Sequence, residues 1–130
     1  MKFTIFTPTY NRKKLLKKLY ESLKKQTYKN FEWLIVDDGS TDGTKESVEK
    51  FLAENKLDIK YYYKENGGKQ RAYNFGVEKA RGELFICLDS DDEYVENGLN
   101  TILKYWEKIY KSNKIDIAGM GYISIYSSGE

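Results

Sequence analysis

The sequence predicts an α/β fold: a mainly parallel central sheet flanked by helices. Three observations predict it. The β-rich runs FTIFT, FEWLIV, DIKYYY and ELFICL alternate with stretches of helical periodicity. The polar motifs TPTYN, DDGSTDG and DSDDE each follow a strand, at the end where open parallel sheets bind ligands. The chain has 130 residues, 40% of them hydrophobic and 15% aromatic, enough for one packed core and too apolar for a disordered chain.

The elements follow in order. Residues 3–7 form a strand closed by Pro8. Residues 12–26 place Leu15, Leu16, Leu19 and Leu23 on one helical face, with Lys13, Lys14, Lys17, Lys18, Lys24 and Lys25 on the other. That lysine series fits a membrane-surface helix, but core leucines with solvated lysines explain it more simply. Residues 31–36 are a second strand ending at Asp37-Asp38-Gly39. Ser40, Thr41 and Asp42 offer N-caps for a helix over about 42–54, with Val48, Phe51 and Leu52 inward.

Residues 58–63 make the third strand, and Gly67-Gly68 break the chain before a helix over about 69–80. ELFICL is the fourth strand. Beyond the acidic run, Leu99, Ile102, Leu103, Trp106 and Ile109 share a helical face, and residues 115–125 read as β-structure. No repeat or low-complexity linker interrupts the chain, so residues 1–130 are expected to form one domain.

Charge and composition exclude several function classes. The 22 basic and 20 acidic residues leave a net charge of only +2, which makes no case for nucleic acid. The chain has no histidine, so zinc centres, Ser-His-Asp triads and Cys-His dyads cannot form within it. Cys87 is alone and sits in an apolar run, where a buried thiol is expected. No run approaches membrane-spanning length and no signal peptide opens the chain, so a cytoplasmic location is expected.

The motifs carry the chemistry. Asp89 and Asp91 are two apart, so an extended backbone projects both carboxylates to one side. Oxygen ligands without histidine or cysteine suit Mg²⁺ or Mn²⁺, which keeps positions open for phosphate oxygens. The competing reading has these acids capping the next helix, and Asp92 and Glu93 fit that role. An EF-hand beginning at Asp89 fails, because Tyr94 and Asn100 stand at its sixth and twelfth positions. In VDDGSTDGT the carboxylates can accept from a ribose hydroxyl or a base N–H, or simply shape a polar turn. Tyr10 can stack on a base or pack locally. Lys69 and Arg71 start a glycine-bounded helix where phosphate, or only water, would meet them. No GxxxxGK[ST] or GxGxxG occurs, which disfavours P-loop and dinucleotide-binding proteins.

The order of motifs is more specific than any one of them. TPTYNR, then QTYKNFEWLIVDDGSTDGT, then ENGGKQRAYNFGVEKARGELFICLDSDDEY together resemble the family 2 glycosyltransferases of the GT-A fold, from about Phe3 to Gly119. The resemblance implies a Rossmann-like three-layer sandwich that binds a nucleotide sugar. It matches Pro8 and Tyr10 to the lining of a uracil pocket and Asp38, with Asp37 beside it, to the acid on the base. Asp89-Ser90-Asp91 matches the DxD motif, with Asp89 on the ribose side and Asp91 as metal ligand. Lys69 and Arg71 fall in a segment that reaches base or phosphate, although the family's Ala-Arg-Asn reads Ala72-Tyr73-Asn74 here.

The resemblance further implies transfer from a UDP-sugar with Mn²⁺ or Mg²⁺, inversion at the anomeric carbon, and a saccharide or lipid-linked acceptor in cell-envelope polysaccharide synthesis. The full-length protein would then work at the inner face of the membrane. The family's general base comes from sequence following a region like residues 115–125. The chain is therefore expected to be a donor-binding part that stops before the base and acceptor site. A non-catalytic nucleotide-binding module is the alternative. A nucleotidyltransferase ranks last, because TPTYNR contains no glycine.

Overall fold

Strands β1 (Phe3–Thr9), β2 (Phe31–Asp37), β3 (Asp58–Tyr63) and β4 (Leu84–Cys87) pair in parallel in the order β3-β2-β1-β4. A computed structural model provides this arrangement and describes residues 3–88, 98–101 and 103–104. Helices α1 (Lys13–Lys24), α2 (Thr44–Glu54) and α3 (Lys69–Lys79) connect successive strands. The chain winds one way from β1 to β3, then crosses back so that β4 lies on the other side of β1. Such a reversal puts the third helix on the opposite face of the sheet, because parallel crossovers keep one hand.

The side chains agree. Phe3, Ile5, Phe31, Trp33 and Ile35 face α1 and α2, packing with Leu16, Leu19, Tyr20, Leu23, Val48 and Phe51. Their alternates Phe6, Leu34 and Val36 face α3 and meet Ala72. β2 is buried along its whole length, as a strand covered on both faces must be. Each fully buried leucine or phenylalanine contributes roughly 1.5–3 kcal/mol by leaving water. Tyr20, Trp33 and Phe51 stack with ring centroids 4.0–6.3 Å apart. On the other face α3 approaches so closely that a Cβ at Gly76 would overlap the Phe6 ring.

Several expectations needed correction. The first strand does not stop at Pro8 but runs through it to Thr9. Proline survives because ladder bonding alternates sides: Phe6 C=O accepts from Leu88 N–H on the β4 side, and the N–H that Pro8 lacks would face that side next. The Thr7 hydroxyl takes its place, donating to the Leu88 carbonyl at 2.6 Å. Leu15 and Leu52 were expected inward but are 36% and 43% exposed. Each lies just outside the stripe its helix turns to the sheet. Helix α2 begins at Thr44, and its N-cap is Gly43, without a side-chain cap bond. Cys87 is only partly buried, against the α3-side cluster.

Residues 98–101 and 103–104 are helical. Leu99 is buried, and its N–H donates to Gln26 Oε1 at 3.2 Å. The expected helix face beyond Leu103 and the β-structure at 115–125 lie outside the described residues.

Candidate functional site

At the carboxyl edge the loops after β1, β2 and β3 are stitched into one surface. Asn11, left-handed at φ 50°, sits between two loops. Its N–H donates to Ser40 Oγ at 2.8 Å, and its Oδ1 accepts from Thr41 N–H at 2.8 Å. Asp42 accepts from Lys13 N–H at 3.1 Å and from the Thr44 hydroxyl at 2.5 Å, linking the starts of α1 and α2. Gly39, at φ 92°, turns the chain tightly, and a Cβ there would stand 3.1 Å from Asn66 N in the β3–α3 loop.

The two adjacent acids divide the work, because successive residues of an extended chain point opposite ways. Asp37 is fully buried. Its Oδ1 accepts from Ser40 N–H at 2.9 Å and its Oδ2 from the Tyr61 hydroxyl at 2.6 Å. Burial, and then this bond to a carboxylate, push the Tyr61 hydroxyl well above the usual tyrosine range, so it stays a donor. Asp37 thus frames the loop.

Asp38 points the other way, into the β3–α3 loop. Its Oδ1 accepts from Lys64 Nζ at 2.7 Å and Gly67 N–H at 2.8 Å, and its Oδ2 from Gly68 N–H at 3.0 Å. Burial works to raise its pKa, but these three donors outweigh burial and hold the carboxyl below the ordinary aspartate range. The result is an anion fixed in place at the edge, with Oδ2 keeping acceptor capacity beyond Gly68.

Around this anion stand other residues anticipated from sequence. Pro8 is partly buried, and Tyr10 is 46% exposed at the exit of β1. Lys69 opens α3 and Arg71 follows on its exposed side. A Cβ at Gly67 would sit 3.0 Å from Arg71 Cδ and 3.1 Å from Lys64 Nζ, so two cationic side chains flank that glycine. Thr9 Oγ1, buried at the end of β1, has no hydrogen-bond partner among the described residues. Asp89, Ser90 and Asp91 lie outside the described residues, but the strand that leads to them is anchored through the Thr7–Leu88 bond.

Sequence reading missed Asn11, Tyr61 and Lys64. Each acts across 24 to 30 positions of chain, and no local pattern announces such partners. Only the place of Asn11 and Lys64, directly after strands, hinted at their roles.

A parallel sheet with polar loops gathered at its carboxyl edge defines an open α/β class whose members bind ligands at that edge. Residues 4–118 match the profile of glycosyl transferase family 2, and the chain belongs to that family. Its fold is the GT-A fold. The poly(ribitol-phosphate) beta-N-acetylglucosaminyltransferase TarS of Staphylococcus aureus is 42% identical over 96 residues, 71% of this chain and 16% of TarS. The crystal structure of TarS 1-349 in complex with UDP-GlcNAc matches 95% of this chain and 37% of its own, with 33% identity and a TM-score of 0.73.

The mannosyltransferase PcManGT of Pyrobaculum calidifontis, solved with GDP-Man and Mn²⁺, matches 72% of this chain and 28% of its own, at 29% identity and TM-score 0.68. The GalNAc(5)-diNAcBac-PP-undecaprenol beta-1,3-glucosyltransferase of Campylobacter jejuni is 36% identical over 105 residues, 79% of this chain and 34% of that enzyme. The chain spans about a third or less of the length of these relatives.

Proposed function

We propose that this chain is the donor-binding domain of an inverting glycosyltransferase, taking a UDP-sugar at the carboxyl edge of its sheet. The observation that carries the reading is the fixed anion of Asp38, whose backbone N–H donates to the carbonyl of Thr9 just before the exposed Tyr10, in a chain 33% identical to a protein solved with UDP-GlcNAc. An ionised acceptor selects a base that offers an N–H, as uracil does, and the Tyr10 ring stacks on its face. Pro8 lines the same exit, and Asp37 holds Asp38 in register. Lys69 and Arg71 supply cations for the base or phosphates.

Asp91, with Asp89, would hold Mn²⁺ or Mg²⁺, and Asp89 and Ser90 would meet the ribose and diphosphate. The donor set fits: hard carboxylate oxygens in a chain without histidine, and an unsatisfied Thr9 hydroxyl at the neighbouring strand end. A divalent ion there supplies positive charge against the departing diphosphate. The proton of the attacking hydroxyl goes to a carboxylate outside the donor domain, with the acceptor site; residues 1–130 bind and orient the donor.

The acceptor is a saccharide or a lipid-linked saccharide, in cell-envelope polysaccharide synthesis, as the undecaprenol-linked substrate named for the Campylobacter relative supports. No helix among the described residues is long and apolar enough to cross a membrane. We place the protein in the cytoplasm, at the inner membrane face. Titration calorimetry of UDP with and without Mn²⁺ tests the donor site. Binding that requires Mn²⁺, and that Asp91→Ala uncouples from Mn²⁺, is expected; absence of heat in both conditions refutes the reading.

A further inference from the structure

We propose that the exposed face of α1 is a docking surface for an anionic phospholipid bilayer, holding the carboxyl edge of the sheet beside the headgroups. The inference rests on the inner-face placement given above and names the surface responsible. Residues 12–25 contain seven cations and one acid, whereas the whole chain is only +2, so the remainder is net negative. Leu16, Leu19, Tyr20 and Leu23 turn α1 into the core, which leaves Lys14, Lys17, Lys18 and Lys25 exposed. Lys14, Lys17 and Lys18 have no ion-pair partner among the described residues, and the helix's one acid, Glu21, pairs with Lys24 at 3.1 Å.

The placement of these charges is what calls for an anion. A helix N-terminus carries the positive end of the dipole, so cations there are disfavoured and belong in the last turn. Helix α1 does the reverse: it opens on Lys13 and Lys14 and has no acid in its first turn, meeting a carboxylate from outside the helix, Asp42 Oδ2, at the Lys13 N–H, 3.1 Å away. One carboxylate against Lys13, Lys14, Lys17 and Lys18 leaves that end net positive, and an anionic surface offsets the rest. A cavity of about 600 Å³ opens at the same end, between Lys13 of α1 and Lys45 of α2, with Ser40, Thr41, Glu46 and Tyr63 also lining it.

Leu15, exposed beside Lys14, gives an apolar side chain to enter the headgroup boundary. Flexible lysine ammonium groups respond to charge density more than to one fixed geometry, which suits a bilayer better than a folded partner. Because α1 starts at the carboxyl edge, the docked orientation brings a lipid-linked acceptor to the donor.

Co-sedimentation with vesicles of neutral phosphatidylcholine, or of the same lipid with about 30% phosphatidylglycerol, tests this. The chain should partition onto the anionic vesicles alone, and less so as salt rises. The Lys14→Gln/Lys17→Gln/Lys18→Gln variant should bind roughly 100-fold more weakly, at about one decade for every one to two lysines lost. Its melting curve and UDP affinity should match wild type. The variant Lys50→Gln/Lys56→Gln/Lys79→Gln, with an equal charge change elsewhere, should stay within about threefold of wild type. Anionic-vesicle binding that survives the α1 changes, or falls equally in both variants, overturns the inference and spares the inner-face placement. Absence of wild-type binding to either vesicle overturns both.

Discussion

Asp38 shows how the fold fixes one carboxylate in place. Two backbone N–H groups and the Lys64 ammonium hold its carboxylate, and only a chain turning at Gly67-Gly68 delivers all three. Asp38→Asn exchanges an acceptor-only group for one that must aim a donor at those N–H groups, and it leaves Lys64 without its counter-charge. Loss of a charged hydrogen bond costs about 1.5–3 kcal/mol, so UDP affinity should fall roughly 10- to 100-fold in calorimetry. Urea unfolding should show a stability loss of similar size. Unchanged affinity would remove Asp38 from the donor site.

At the scale of elements, the two ends of the sheet are built differently. At the amino end Glu32 is fully buried and accepts from the Thr4 hydroxyl at 2.6 Å, Arg81 N–H at 2.7 Å and Arg81 Nε at 3.3 Å. Thr4 in turn accepts from Gly82 N–H at 2.8 Å, tying the α3–β4 turn to β1. Burial alone would raise the pKa of Glu32, yet these donors bring it below the ordinary glutamate value. A folded carboxyl that binds protons more weakly than the unfolded one stabilises fully above the unfolded pKa and loses that contribution as pH falls. Stability should therefore hold from about pH 8 to 5.5 and decline below about pH 4.5, with a shallower acid decline in Glu32→Gln.

Close packing of α3 on β1 gives an element-scale prediction of opposite sign to helix propensity. Gly76→Ala gains about 1 kcal/mol as a better helix former. The added methyl must displace the Phe6 ring, and overpacking costs about 1–3 kcal/mol. A net loss in urea unfolding is expected. A gain would mean that the helix shifts freely on the sheet.

For the whole molecule, the proposed division between donor binding and catalysis predicts that residues 1–130 bind UDP but release it from UDP-sugars no faster than background. A coupled assay of UDP release with saccharide acceptors checks this, and robust turnover would place a base within the chain. By itself the sequence determined the α/β class, the four described strands, the helices between them and the edge that carries the polar loops. Periodicities of two and 3.6 are local and appear wherever one face of an element meets a core. The exposure of Leu15 and Leu52 was not legible, because the sheet covers only a narrow stripe of each helix. Tertiary structure alone decided that Asp37 frames its own loop while Asp38 turns to the β3–α3 loop. Their roles come from Tyr61, Lys64 and Gly67, which the parallel pairing of β2 with β3 brings beside them. Distant segments become neighbours only when the sheet closes, so the chemistry of the edge is a property of the assembled fold.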